Sequence, residues 1–214
     1  SLKPTLSVIF IFLNHLLMST KINSNLIPQK SLSTYKPPMI NGVTASKVFI
    51  PKCTQTSQSL FKYLCEHFEH IDTEEWMQRF QNQLIIDAEG HVLNLDTPYL
   101  SEQHIYYYRF LAHEIHVPFT EKILFENEDL LVVDKPHFLT ISPTGQYVQE
   151  TLLVRLKKTT GNPDLTPIHR LDRETAGVVL FSKRVATRGL YQQLFADKKV
   201  QKIYHAVAPF QEGL

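Results

Sequence analysis

The chain has 214 residues, 43% of them hydrophobic and 20% charged, which is enough apolar material for one domain with an appendage or for two small domains. Its formal net charge is +1, so no overall field marks a polyanionic partner, and any such face has to arise from local charge. Two cysteines, Cys53 and Cys65, are too few for a disulfide framework or a four-thiolate zinc site; they suit a reducing compartment and a cytoplasmic protein.

Leu6 to Met18 is strongly apolar but too short to span a bilayer, and Asn14 and His15 interrupt it. Residues 1–46 are therefore expected to be a disordered tail or translated upstream sequence, with an export signal as the second choice, and no membrane partner is expected. Within them, residues 19–38 are polar and proline-punctuated, as a linker is. Folding signals begin near Lys47-Val48-Phe49-Ile50-Pro51. Leu60, Tyr63, Leu64 and Phe68 then fall at helical spacing, with Thr56, Ser57 or Ser59 available as the cap. Asp72 and Glu75 have the spacing of a capping box for a second helix through Trp76, Met77 and Phe80. LIIDAEGHVLN alternates around Glu89-Gly90 and predicts a hairpin, and His104–Arg109 predicts a further strand. Residues 47–112 thus form one small helix-helix-hairpin domain.

Beyond the connector of residues 113–120, strands are expected at Ile123–Glu126 and Leu130–Asp134, then a helix over Val148–Thr159. A loop with Gly161, Pro163 and Pro167 leads to the stretch HRLDRETAG, His169 to Gly177. A buried strand Val178–Ser182, a helix Thr187–Asp197 and a strand Val200–Val207 follow. The fold class is α+β, with residues 113–214 as a second domain. Charge separates the two parts. Residues 59–120 carry three Lys or Arg against ten acids, a net of −7, whereas residues 151–204 carry eleven against four, a net of +7. Phosphate neutralisation is one use of such a basic surface, and an ordinary solvated face is the other.

The seven glycines include no G-x-G and no G-x-x-x-x-G-K, and no G-x-S-x-G elbow occurs, so dinucleotide, P-loop and serine-hydrolase readings lack their essential geometry. His169 and Asp172 could in principle ligate a metal, but no second cluster of acids or histidines lies near enough in sequence to support one. What remains is Asp172 between Arg170 and Arg173. Opposite charges nearby favour an ionised carboxylate, which serves either a catalytic nucleophile or base or a structural ion pair at a strand mouth.

HRLDRETAGVVLFSK resembles the motif of RNA pseudouridine synthases of the RluA type, whose pattern is H-R-L-D, two residues, T, a small residue, G and a hydrophobic strand. ILFENEDLLVVDKP is similar to that family's first strands, and QKIYHAV to its K-x-Y-x-A-x-V strand, so three motifs stand in family order over residues 121–207. The resemblance implies a mixed, largely antiparallel sheet with flanking helices. It implies cofactor-free, metal-free isomerisation of uridine to pseudouridine in structured ribosomal or transfer RNA by a monomer. It makes Asp172 the essential carboxylate, attacking the ribose or removing a sugar proton. Tyr204 becomes the ring packed on the uracil, and Arg170 the basic residue beside the aspartate and the extruded base. Arg173, Lys202, Lys183 and Arg184 are the candidate phosphate contacts. His169, Thr175 and Gly177 are read as structural. The order and size of residues 57–109 resemble the RNA-binding domain named for ribosomal protein S four, although that domain is usually basic and this one is acidic. Family members continue for roughly a hundred residues past the tyrosine strand, a further domain-sized piece, so the chain is expected to be a fragment or a truncated, inactive RNA-binding remnant.

Overall fold

The computed structural model describes residues 7–12, 35–52 and 59–206, and the chain divides into two compact units, residues 31–114 and residues 1–30 with 115–214. Cys53, Thr56, Ser57, Val207 and most of the predicted linker lie outside the described residues. Strand β1 (Ser7–Phe12) belongs to the second unit.

In the first unit, β2 (Ser46–Ile50) precedes helices α1 (Leu60–His67) and α2 (Thr73–Gln81), and β3 (Ile85–Asp87) and β4 (Gln103–Tyr107) follow. The three strands form a sheet in the order β2-β4-β3, antiparallel throughout. Ser59 starts α1: its Oγ accepts the Lys62 amide at 3.2 Å, satisfying a donor that no carbonyl in the helix can reach. The helical spacing read from the sequence buries Leu60, Leu64, Trp76 and Phe80 against Ile50, Ile85 and Ile105. Asp72 does occupy the cap position of α2, but its carboxylate makes no capping bond. Glu75 instead pairs with Arg79 one turn on (2.9 Å), whose guanidinium lies 4.9 Å from the Trp76 ring. The predicted hairpin is reduced to one bridge between Ile86 and Val92, because Asp87 Oδ1 accepts the amides of Glu89 (2.9 Å) and His91 (2.8 Å) and closes the turn locally.

The second unit contains β5 (Lys122–Glu126), β6 (Leu130–Lys135), helix α3 (Leu152–Thr160), the two-residue β7 (Thr166–Pro167), β8 (Ala176–Ser182), helix α4 (Val185–Ala196) and β9 (Gln201–Ala206). Its sheet runs β5-β6-β8-β1-β9, with β7 also paired to β8. Every pairing is antiparallel except β1 with β8. Alternation along the central strands explains why LLVV and VVLF are continuously apolar. Leu131, Val133, Val179 and Phe181 pack with Leu139, Leu152 and Leu156, while Leu130, Val132 and Leu180 pack with Ile168 and Tyr191 on the other face.

Helix α3 is capped by Thr151, whose Oγ1 accepts the Val154 amide (3.3 Å); it starts four residues later than the pattern predicts and ends at Gly161 with φ +67°. Ser7–Phe12, which the sequence places in a tail, is a strand between β8 and β9. Val, Ile and Phe in succession favour extended backbone, and pairing satisfies its polar groups on both sides. The connector is fastened to α3: Glu150 accepts the Val117 amide (2.9 Å), and Arg155 donates to the carbonyls of Val117 (2.6 Å) and Phe119 (2.7 Å). Arg155 also pairs with Glu150, and these bonds hold the Glu150 carboxyl below its usual range despite its burial.

Candidate active site

Asp172 sits in the loop between β7 and β8, at the mouth of a strand whose interior is buried. Its carbonyl accepts the Thr175 amide at 3.1 Å, closing a four-residue turn with Arg173 and Glu174 at its tip. Aspartate suits the first position of such a turn. Gly177, at φ +131°, lets the chain leave the turn and enter β8 through backbone conformations that side chains disfavour. Arg170, Asp172, Arg173 and Glu174 are all exposed.

The expected Arg-Asp-Arg cluster is not an ion-pair network. Arg173 Nε meets Glu174 Oε1 at 3.0 Å, and its Nη1 donates to the Tyr147 hydroxyl at 2.9 Å. Among the described residues, no ion pair within 4 Å joins Asp172 to Arg170 or Arg173. The Asp172 side chain is presented to solvent.

What holds this loop is a residue that the motif reading used only to end a strand. Lys135, the last residue of β6, is 0% exposed. Its ammonium donates to the carbonyls of Leu139 (2.7 Å), Pro136 (3.0 Å) and Arg173 (3.2 Å). Its backbone lies opposite Gly177 in the β6–β8 register, so strand pairing brings Lys135 beneath the Asp172 turn. Burial lowers its pKa from 10.5 to about 8, partly offset by the nearby charges of Glu174 and Asp172. A second tether joins His137 Nδ1 to the Glu174 carbonyl at 2.7 Å. A lysine followed by proline at the end of an apolar strand is the one hint of this clamp in the sequence.

His169 has the structural place expected of it. Its Nε2 accepts the Leu180 amide (3.1 Å) and its ring stacks 4.9 Å from Phe195. Burial, with the Lys202 charge adding to it, lowers its pKa to about 4, so the imidazole is neutral near pH 7.

Tyr204 lies on β9 and is 55% exposed. Ile9 of β1 is the register partner of both Tyr204 and Gly177, which sets Tyr204 level with the β8 mouth, two strand spacings or roughly 10 Å away. Lys202, two residues back on the same strand, lies 5.0 Å over the Phe195 ring. Lys183 and Arg184 are at the opposite end of β8, roughly 20 Å from its mouth. There Lys183 pairs with Glu126 (2.6 Å) and Arg184 with Asp129 (3.4 Å). The structure therefore brings Arg170, Asp172 and Arg173 together, sets Tyr204 level with them, and leaves Lys183 and Arg184 elsewhere. Among the described residues, Asp87, Glu89 and His91 bring metal-type ligand atoms together, on an exposed turn held by their own hydrogen bonds.

The second unit is thus a mixed, largely antiparallel sheet with helices packed on it, and it presents a carboxylate and a tyrosine at one strand end. Residues 129–213 match the family model described as RNA pseudouridylate synthase. An uncharacterised RNA pseudouridine synthase of Synechocystis sp. is 28% identical over 148 residues, 69% of this chain and 50% of that protein. RNA pseudouridine synthase 5 of Arabidopsis thaliana is 30% identical over 62% of this chain and 43% of its own length. tRNA pseudouridine(31) synthase of Saccharomyces cerevisiae is 37% identical over 39% of this chain and 20% of its own length. A solved structure, human RNA Pseudouridylate Synthase Domain Containing 4, is similar at 30% identity over 36% of this chain and 30% of that one, with a TM-score of 0.30. The matched stretch is thus similar to RNA pseudouridine synthases, over the part of the chain that carries the Asp172 turn. The chain spans half or less of the length of these relatives. No helix among the described residues is long and apolar enough to cross a membrane.

Proposed function

We propose that the protein isomerises uridine to pseudouridine within structured RNA, and that Asp172 is its catalytic carboxylate. The observation that carries this reading is the presentation of Asp172: an exposed carboxylate on a turn clamped at two points, at the mouth of a buried strand, level with Tyr204. Uridine isomerisation breaks the C1′–N1 bond, turns the uracil and joins C5 to C1′; the C5 proton is lost and N1 regains one. A single carboxylate beside C1′ serves as nucleophile or base for this sequence, and an aromatic face retains the turning ring.

Tyr204 is assigned to the uracil and Arg170 to the space left by the extruded base. Arg173 and Lys202 are assigned to flanking phosphates, with the base first flipped from its stack. Lys183 and Arg184, at the far end of β8, serve a longer RNA footprint in this reading. Ribosomal or transfer RNA is the substrate, the enzyme acts as a cytoplasmic monomer, and no cofactor is needed. The small domain of residues 47–112 is, in this reading, a relative of the ribosomal protein S four domain with a degenerate or docking role.

The test is tritium release from C5-labelled uridine in cellular RNA. Asp172→Asn preserves the turn, whose bond uses the backbone carbonyl, and is expected to lose activity by about 10²- to 10⁴-fold or more. Equal release by the two proteins would refute the assignment. RNA binding by both without release from either would identify a non-catalytic RNA-binding remnant.

A further inference from the structure

Among the described residues of the second unit, Phe138 combines a disfavoured backbone conformation with an exposed aromatic side chain. It stands at the second central position of the turn after Pro136 with φ +65°, a conformation that glycine or asparagine adopts readily and that is strained for a bulky aromatic residue. Its ring is nevertheless 39% exposed. Phe119, 48% exposed, lies 6.2 Å away between ring centroids, and the His137 ring is 6.0 Å away. Phe119 is held in place through its carbonyl by Arg155. A side chain kept in strained backbone without burial in return is a local conflict of the kind found at binding sites.

The position of this ring identifies what it meets. Its neighbours in sequence are the two residues through which the loop grips the Asp172 turn: His137 donates to the Glu174 carbonyl, and the Leu139 carbonyl shares the Lys135 ammonium with that of Arg173. The backbone of Phe138 therefore stands between two residues tied to the turn that carries the candidate carboxylate and the exposed cations Arg170 and Arg173. Flat apolar faces beside exposed guanidinium groups complement one type of polymer, a strand with aromatic bases and anionic phosphates. Extruding a uridine also unstacks its neighbours, which then need a new surface.

We propose that Phe138, with Phe119 behind it, is the stacking platform for the nucleotide next to the target uridine. This inference rests on the reading of the Asp172 loop as the site that receives RNA uridine. It makes Phe138 a positioning residue that holds the unstacked RNA in register, while the Asp172 side performs the chemistry.

The probe is a 12-nucleotide single-stranded RNA with one uridine flanked by 2-aminopurine, whose fluorescence is quenched by stacking. Binding is measured in the Asp172→Asn form, so that it does not depend on turnover. Phe138→Leu keeps an apolar side chain without a π-face, and Phe138→Gly removes the ring and the backbone strain together. Both are expected to lose the protein-induced quenching and to weaken binding by about tenfold, with Phe138→Gly at least as heat-stable as its parent. The slope of log affinity against log salt should stay the same in both, because an aromatic ring releases no counterions.

Quenching and affinity unchanged in Phe138→Leu would overturn the platform. So would unchanged RNA binding with a Phe138→Gly protein that melts several degrees lower, which would show the ring covered by protein, by a second copy if the loss depends on concentration. Tritium release by the wild-type enzyme with Phe138-independent binding sinks the platform alone. Phe138-dependent quenching without tritium release sinks the isomerase reading and leaves a stacking site.

Discussion

Replacing Lys135 by methionine tests the clamp beneath the Asp172 turn. The substitution keeps the volume and flexibility of the side chain but removes the ammonium that reaches the carbonyls of Leu139, Pro136 and Arg173. Each buried carbonyl left without a donor costs about 1–3 kcal/mol, and relief from burying a charge offsets part of this, so a net loss of about 2–4 kcal/mol is expected. For a unit of this size each kcal/mol lowers Tm by about 4–8 °C.

The pH dependence gives an independent check. Lys135 keeps its proton up to about 10.5 in the unfolded chain and releases it near 8 in the folded one. Between these values the unfolded state binds more protons, so stability gains with rising pH. The fall from 10.5 to about 8 corresponds to about 3 kcal/mol at most. Lys135→Met lacks that gain, so the deficit of the variant should widen from pH 8 to pH 10.5 in urea titrations followed by circular dichroism. A deficit under 1 kcal/mol at pH 7, or parallel pH profiles for the two proteins, would refute the burial and the clamp.

Two other changes probe the same unit. His169 has its folded pKa near 4, below the 6.5 of the free side chain, so acid favours the unfolded state and stability falls as pH drops from about 6.5 towards 4. His169→Gln should flatten this part of the profile relative to wild type; an unchanged difference across the window would show that the ring does not titrate as described. Gly177→Ala places a side chain at φ +131° and should cost about 1–3 kcal/mol in denaturant titration. An alanine variant of wild-type stability would mean that the strand mouth tolerates an ordinary residue.

Much of the local architecture was legible because it rests on local rules. Ser59 was among the caps available to α1, the helical spacing picked out Leu60, Leu64, Trp76 and Phe80, and the apolar runs LLVV and VVLF marked two strands, the second of them buried. Asp72 shows the limit of such rules: its spacing to Glu75 fits a capping box, yet Glu75 is drawn to Arg79 and the carboxylate of Asp72 stays uncapped. Ser7–Phe12 was misplaced because an apolar run beside a polar linker has the composition of a tail, and its strand role exists only through pairing partners about 170 and 190 residues away.

By itself the sequence determined the chemistry on offer, since HRLDRETAG, LLVVDKP and KIYHA name a carboxylate, a lysine and a tyrosine in a fixed order along three strands. Only the tertiary structure decided what those groups do to one another. Arg173 turns away from Asp172 to Glu174 and Tyr147, and Lys135 becomes the buried anchor of the turn. Phe138 is held in strained backbone with its ring in the open. Residue order restricts which groups are near along the chain. Strand register and burial set which of them meet across it, and a charge placed next to another in sequence has no obligation to pair with it in space.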